Sequence, residues 1–179
     1  MKKIYFSIIL LSFIVGLTGH LKQKKYPKPE GVKHLLFYVQ RTQNTNTIIY
    51  ELNVNDKDEI NIKNPIKIYW INYADDESTE PLNYVQKKYA YGIETEMLDT
   101  DKKTFRFSFV AYKSKELYLM KNPADNKYHV FYYIKDKLLM LDRVFIKTEG
   151  GLFWPKVKYT DVFCMDHLKN EEVTERIIP

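Results

Sequence analysis

The side chains best suited to acid–base chemistry are two glutamates, Glu94 and Glu96, which would lie on the same face of a strand. A hydrolase of an envelope polymer uses two carboxyl groups in this way, as general acid and general base. Lys87 and Lys88 precede them, so a charged, solvated surface explains the same acids. Which interpretation holds depends on whether both carboxyl groups face one cleft.

A thiol nucleophile is the second candidate, because the only cysteine, Cys164, is followed closely by His167. Catalytic partners are usually adjacent in space rather than in sequence, so this spacing is weak support. We favour a buried apolar filler of the core over a reactive thiol or an intermolecular disulfide. One cysteine excludes an internal disulfide.

The sequence lacks the motifs of several other chemistries. No serine lies in a G-x-S-x-G elbow, and the histidines show neither H-x-H nor H-E-x-x-H spacing. The stretch NVNDKDE, residues 53–59, has oxygen donors but lacks the glycine and the distal glutamate of an EF-hand loop. We therefore predict no catalytic residue, no metal site and no cofactor.

A polar insert between two apolar runs, in HLLFYVQRTQNTNTIIYELN, supplies the candidates for ligand binding. We interpret it as the end of a β-hairpin, about six residues held mainly by their own amide bonds; the alternative is a binding loop. The side chains expected to reach a polar ligand there are Arg41, Asn44 and Asn46. Trp70 and Tyr91 are further candidates because aromatic residues line many concave sites, although at such spacings they are more often core.

The elements that would position these side chains are mostly strands. Apolar and polar residues alternate in PIKIYWINY and TFRFSFVAY, and further runs of this kind lie at 117–120, 128–134, 138–141, 144–147 and 157–163. Such alternation places one face of each strand in a core. With 45% hydrophobic and 15% aromatic residues, the chain is predicted to be mainly β: an antiparallel β barrel or sandwich with one short helix.

The helix is predicted over residues 80–90, in the stretch STEPLNYVQKKYAYG. Ser78 or Thr79 would cap its start, and Pro81 would lie in its first turn. Gly92 would end it in the left-handed conformation. Its apolar residues at helical spacing are Leu82, Val85 and Tyr89. We expect the helix to pack on the sheet or to close one end of a barrel, because a helix of this length is marginal alone.

The N-terminus carries a targeting signal. Lys2 and Lys3 precede an uncharged apolar run, residues 4–17, that is shorter than the ~20 residues needed to span a bilayer. We predict a signal peptide over 1–19, a linker over 20–33 and a single β-rich domain over 34–179. The protein would be exported to the periplasm or the extracellular space, with an uncleaved membrane anchor as the alternative.

The charge of the chain does not indicate nucleic-acid binding. Its net charge is +5, but most of the positive groups are lysines interspersed with acids, and only four are arginines. Phosphate recognition favours clustered arginines. We predict an envelope component or a small ligand as the partner, no nucleic acid, and membrane contact only if the N-terminal segment stays uncleaved.

Five stretches in order along the chain carry a family resemblance: LLFYVQRTQNTNTIIYELN, NPIKIYWINY, PLNYVQKKYAYGI, RVFIK and PKVKYTDVF. Together they resemble a family of exported bacterial proteins, common in Bacteroidetes, known as the domain of unknown function DUF4833. The resemblance implies export and no assigned activity. Because catalytic motifs are missing and tyrosine is abundant, we expect a non-catalytic binding or interaction module of the cell envelope, with a hydrolase using paired carboxylates as the alternative.

Overall fold

The computed structural model of the protein describes residues 26–150 and 155–179. The predicted signal peptide over 1–19 and residues 20–25 of the predicted linker lie outside the described residues. The described elements are β1 (Leu35–Arg41), β2 (Asn44–Leu52), β3 (Ile66–Ile71), β4 (Thr79–Pro81), α1 (Tyr84–Tyr89), β5 (Ile93–Asp99), β6 (Thr104–Phe109), β7 (Tyr112–Lys121), β8 (Tyr128–Ile134), β9 (Lys137–Glu149), β10 (Lys156–Asp166) and β11 (Glu171–Ile177).

The strands form one curled sheet, an open half-barrel, and the predicted mainly β fold with one short helix is confirmed. Its order is β4-β3-β2-β1-β9-β8-β7-β6-β5, so β9 joins a first wing, β1 to β4, to a second wing, β5 to β8. On its other edge β9 pairs with β10, which pairs with β11. The β1–β9 pair is parallel, whereas every other described strand pair is antiparallel.

The two wings meet through aromatic rings on their inner faces. Phe37 of β1 stacks on Tyr50 of β2, with ring centroids 4.3 Å apart, and it lies 6.4 Å from Phe107 of β6. All three side chains are almost completely buried. Because alternation along each strand directs these rings to the same side, the wings close on one apolar core.

A β-bulge in β9 keeps its inner face apolar along its length. Cys164 of β10 pairs with Leu141, and Phe163 pairs with Arg143, so Asp142 is an extra residue in β9. The extra residue resets the alternation. Leu141 and Val144 consequently both face the interior, although three positions separate them.

The described part of the predicted linker, residues 26–33, packs on the outer face of the sheet. The side-chain amide of Gln40 donates to the carbonyl of Pro27 at 2.7 Å, and the ring of Tyr26 meets that of Phe145 edge-on at 5.1 Å. Pro29 is buried. This segment therefore covers part of β1 and β9 instead of hanging free.

The predicted start of the helix is wrong. Asn83 is the N-cap: its side chain accepts from the backbone N–H of Gln86 at 2.9 Å, and Gln86 returns a bond to the Asn83 N–H, which completes a capping box. Residues 79–81 form β4 instead, where Pro81 pairs with Tyr69. Proline is tolerated there because β4 is an edge strand, where its missing N–H breaks no ladder.

The role predicted for Gly92 is also wrong, since its φ is not positive. A Cβ at this position would lie 1.9 Å from the carbonyl oxygen of Lys87. Glycine is needed here because the chain passes directly against the last turn of the helix. The C-cap of the helix is Ala90. Close backbone approach, rather than a left-handed turn, explains the residue.

The predicted apolar face of the helix is not buried. Leu82, which precedes the helix, is buried, but α1 itself buries no residue, and Val85 and Tyr89 are exposed. The contact that ties the helix to the sheet is polar: the indole Nε1 of Trp70 donates to the Gln86 side chain at 3.2 Å. The helix thus presents its tyrosines and its valine to solvent.

Candidate functional site

An apolar cavity of about 290 Å³ lies inside the half-barrel. Strands β1, β9, β10 and β11 supply one wall, and β6, β7, β8 and the chain just after α1 supply the other. Apart from Thr160, the side chains of the first wall are aliphatic: Val39, Leu141, Val144, Ile146, Val157, Val162 and Ile177. Pockets for small molecules are typically concave and mostly apolar, with a few polar groups that set orientation.

Aromatic rings form the boundary between this cavity and the filled part of the core. Phe109 lines the cavity, and its ring meets Phe37 and Tyr50 edge-on at centroid distances of 6.1 and 5.6 Å. Beyond these rings the chain places smaller side chains at two positions that line the cavity. Val39 follows Phe37 on β1, and Ala111 follows Phe109 at the β6–β7 turn. The hollow is therefore a result of side-chain size along continuous strands.

The exposed lining residues locate the mouth of the cavity. Tyr112 and Val157 both line it and are exposed, as is the C-terminal Pro179. Tyr112 begins β7, while Val157 lies near the start of β10. The cavity therefore opens at the end of the half-barrel that carries the β6–β7 turn and the chain after α1.

A polar cluster of three side chains borders the cavity. The Lys115 ammonium lies 3.2 Å from a Glu175 carboxylate oxygen, and the Tyr132 hydroxyl donates a short hydrogen bond to the same carboxylate. Lys115 and Tyr132 line the cavity. Burial, followed by the hydrogen bond to Glu175, raises the pKa of Tyr132, so its hydroxyl stays protonated and remains a donor.

Three of the sequence-predicted site residues are brought together beside this cavity. The guanidinium carbon of Arg41 lies 4.8 Å above the Trp70 ring, and a guanidinium nitrogen donates to the Tyr91 hydroxyl at 3.0 Å. Trp70 and Tyr91 meet edge-on at 5.4 Å. Tyr91 lines the cavity, whereas Trp70 is buried beneath Arg41. A stacked guanidinium covers the indole, which leaves no open aromatic platform for a sugar.

The polar insert is a hairpin end, as predicted, but its turn is only residues 42–43 and β2 begins at Asn44. A wide bulge follows, in which residues 45–47 lie opposite Gln40. The buried Gln40 side chain fixes the bulge by donating to the Thr47 hydroxyl at 3.1 Å. The predicted six-residue turn is therefore too long, because polar residues continue into the strand.

The two asparagines of the insert have separate environments. The side-chain amide of Asn46 donates to Asn72 at 3.2 Å and accepts from the Ala74 N–H at 2.8 Å. It therefore fastens the loop after β3 rather than its own turn. The side-chain oxygen of Asn44 and the Nε of its cross-strand neighbour Arg41 are buried without a partner among the described residues.

The paired glutamates line one open, polar depression together with Arg106 and Lys113. Within it, Glu94 bonds to Lys113 of β7 and Glu96 to Arg106 of β6, and each glutamate side chain is more than half exposed. Neither lines the apolar cavity. The arrangement is that of surface ion pairs along β5, β6 and β7, which contribute little to stability.

Cys164 and His167 do not form a catalytic pair. Cys164 is fully buried, and burial raises the pKa of its thiol to about 12. A ring nitrogen of His167 lies 3.3 Å from the Met140 sulfur. The interpretation of Cys164 as a buried filler is confirmed. Within residues 26–150 and 155–179, no three His, Cys, Asp or Glu side chains are grouped to hold a metal ion.

Sequence reasoning missed Lys115, Tyr132 and Glu175. Each lies in a strand where apolar and charged residues alternate, so each has the signature of an ordinary strand position. Lys115 and Glu175 are 60 positions apart and meet because the second wing approaches β11. Such a cluster carries no local sequence signal.

The family model for the domain of unknown function DUF4833 matches residues 37–176. The chain belongs to the DUF4833 family. The family predicted from the five sequence stretches is therefore confirmed. No curated protein and no solved structure matches the chain significantly.

The DUF4833 match includes most of the strands that build the cavity, from Phe37 in β1 to Arg176 in β11. The family description assigns no activity, so the chemistry must be argued from the site itself. In the described part of the chain, no helix is long and apolar enough to cross a membrane.

Proposed function

We propose that this protein is an exported, non-catalytic binding module of the cell envelope that holds an apolar or amphiphilic small molecule in its cavity. The observation that carries the proposal is an apolar hollow of about 290 Å³ inside the half-barrel. Protein cores rarely leave voids larger than a water molecule. Curled sheets with a hollow interior commonly hold one small ligand.

The size and lining of the cavity define the class of ligand. An apolar cavity that accommodates benzene has a volume of ~150 Å³. The cavity of this protein, at about 290 Å³, is about twice as large. Its walls are nearly all aliphatic or aromatic carbon, and a charged or strongly polar molecule would lose hydration there without gaining partners. An acyl chain of medium length or a compact ring system fits this volume and this apolar lining.

The polar groups beside the cavity favour an amphiphile over a pure hydrocarbon. Lys115 is about one-third exposed and bonds Glu175 through its ammonium, so it can also donate to a ligand oxygen near the cavity. Tyr91 offers a hydroxyl already bonded to Arg41. A ligand with an apolar body and one anionic or oxygen-rich end would use both kinds of surface.

The proposed location rests on the N-terminal sequence. Lys2 and Lys3 followed by the apolar run of residues 4–17 support export to the periplasm or the extracellular space. An uncleaved membrane anchor is the alternative arrangement. Both place the domain where envelope lipids and other amphiphiles are available.

The polymer hydrolase is the weaker candidate. Glu94 and Glu96 are exposed in an open depression, where each is already engaged in an ion pair, Glu94 with Lys113 of β7 and Glu96 with Arg106 of β6. Hydrolysis of a glycosidic bond would require both carboxyl groups to flank one substrate. Because both carboxylates are paired with cations in a depression open to solvent, the apolar cavity is the better-supported site.

Isothermal titration calorimetry with decanoate, a medium-chain fatty acid, tests the proposal. Saturable binding with a negative change in heat capacity is expected, because apolar surface is buried. Val144→Phe, which places a ring in the cavity, should abolish this heat, whereas Val54→Phe, the same change at a half-buried position outside it, should not. Equal binding by both variants, or none by the unaltered protein with decanoate or a compact apolar ring compound, would refute it.

A further inference from the structure

Helix α1 exposes an apolar and aromatic surface beside the cavity mouth. Tyr84 is 69% exposed, Val85 61% and Tyr89 62%, and no residue of the helix is buried. Ala90 and Tyr91, directly after the helix, line the cavity. Large apolar side chains exposed together in this way commonly mark a contact surface.

Two other parts of the chain add exposed apolar side chains at the same end of the half-barrel. Val157 and Tyr112 line the mouth and are exposed. Ile178 is exposed between Ile177 and Pro179, both of which line the cavity. We call this surface the rim, defined by Tyr84, Val85, Tyr89, Tyr112, Val157 and Ile178.

Several lysines lie on the elements that carry the rim. Three of them, Lys113, Lys115 and Lys158, are paired with Glu94, Glu175 and Glu149. Three more lie on the same elements without an ion pair to any described carboxylate: Lys87, Lys88 and Lys156. The ammonium of Lys88 bonds the Tyr84 hydroxyl at 3.0 Å and lies over the Tyr84 and Tyr89 rings. The surface therefore joins aromatic rings to unneutralised positive charge.

Tyrosine beside lysine is the composition of the water–lipid interface. The ring of tyrosine has an apolar body and a polar tip, and lysine extends its ammonium toward lipid phosphates. Surfaces of this kind bind bilayers through buried apolar area together with attraction to anionic lipids. The open mouth of an apolar cavity lies within this surface.

We infer that the rim docks on an anionic lipid bilayer and that the cavity receives the acyl chain of a membrane lipid through its mouth. The inference rests on the proposed function, because it names the source and class of the ligand held in the cavity. It also gives the folded domain its own route to the membrane, separate from the N-terminal segment.

A second copy of this chain is a poorer occupant of the rim. In a two-fold dimer the same patch meets itself, so Lys87, Lys88 and Lys156 of one copy would approach those of the other. Like charges brought together at an interface oppose association. An anionic bilayer offers the complementary charge instead.

Vesicle flotation tests the inference with the full mature chain. Vesicles of phosphatidylcholine and phosphatidylglycerol in equal parts should carry the protein upward, and vesicles of phosphatidylcholine alone should carry much less. The double variant Tyr84→Ser with Tyr89→Ser should reduce binding about tenfold. The matched control is Leu168→Ser, since Leu168 is 99% exposed at the β10–β11 turn, at the opposite end of these strands. It should bind as the unaltered protein does.

The lysines provide an independent arm of the test. Lys87→Gln and Lys88→Gln should each weaken binding to the anionic vesicles roughly fivefold, and added salt should weaken it further. Both residues are exposed and lie on the surface of α1, so the fold should tolerate the changes.

Decanoate calorimetry on the same variants separates this inference from the proposed function. Binding of decanoate in solution without flotation would overturn the docking surface while the binding function stands. Flotation unchanged in the tyrosine variant, or lost equally in Leu168→Ser, would also overturn it. Sedimentation equilibrium showing a dimer that the tyrosine variant abolishes would assign the rim to self-association instead.

Discussion

The interior of the half-barrel has a filled end and a hollow end, built by the same strands. At the filled end Phe37 stacks on Tyr50 and approaches Phe107. At the hollow end Val39, the next inward residue on β1, faces a cavity of about 290 Å³. The cavity therefore arises from the size of a few side chains, because the backbone continues through both ends. We take the filled end as the source of stability and the hollow end as the source of function.

Truncating a ring at the filled end should have the largest effect. Phe37→Ala removes stacking with Tyr50 and opens a void among rings that are nearly completely buried, so we expect a loss of about 3–5 kcal/mol in the free energy of unfolding. Leu141→Ala, at the wall of the existing cavity, should cost about 2 kcal/mol, the lower end for such changes. Urea denaturation measures both. Equal losses would remove the distinction between the ends.

Larger side chains should also distinguish the filled end from the hollow end. Val130 is fully buried outside the cavity, so Val130→Phe must displace packed neighbours and should cost ~1–3 kcal/mol. Val144→Phe places its ring in an existing hollow and should change stability by less than ~1 kcal/mol. Urea midpoints of the two variants give the comparison. If the Val144→Phe protein were as unstable as the Val130→Phe protein, the protein's own side chains would already fill the hollow.

Two asparagines in the hairpin beside the cavity give a matched pair of substitutions with smaller expected effects on stability. Asn46→Ala deletes the bonds to Asn72 and Ala74 and should lower stability by about 1 kcal/mol. Asn44→Ala removes an oxygen without a partner among the described residues and should stay within about 0.5 kcal/mol of the unaltered protein. Thermal melting distinguishes them. A larger loss for Asn44→Ala would show that its side chain has a partner that the geometry does not reveal.

Ionisation of the Cys164 thiol should change the free energy of unfolding only at high pH. Burial raises the pKa of the folded thiol from its ordinary 9.0 to about 12, so the folded state disfavours the thiolate that forms in the unfolded chain. This contribution to stability is complete below pH 9 and is lost as the pH rises toward 12. The stability difference between the unaltered protein and Cys164→Ala should therefore shrink across that window, measured by urea denaturation. A constant difference, or rapid thiol labelling of the folded protein, would contradict the buried site.

The strands were the predictable part of the fold, because their signal is local. Residues 128–134 were predicted as a strand and form β8 with the same bounds, and Phe105 and Phe107 share a buried face as expected. The runs 138–141 and 144–147 are one strand, β9, since a bulge at Asp142 resets the alternation between them. Alternation alone could not distinguish a bulge from a break.

The candidate site was largely unpredictable for the opposite reason. The cavity exists because Val39, Val144 and Val162 meet across three strands, and a hollow leaves no mark in any one segment. Arg41, Trp70 and Tyr91 were identified and do lie together, because aromatic and guanidinium groups are recognisable from the sequence. The exposed face of α1 was predicted to be buried, since helical spacing cannot tell a core from a surface made for a partner.

Methyl-resolved NMR during a titration with decanoate is the most direct test of binding at the hollow end. We predict saturable chemical-shift changes at Val144, Ile146 and Val162, which line the cavity, and little change at Val130 and Leu119 in the filled end. Shifts that grow without saturation, or that concentrate in the filled end or on the outer surface, would contradict the account.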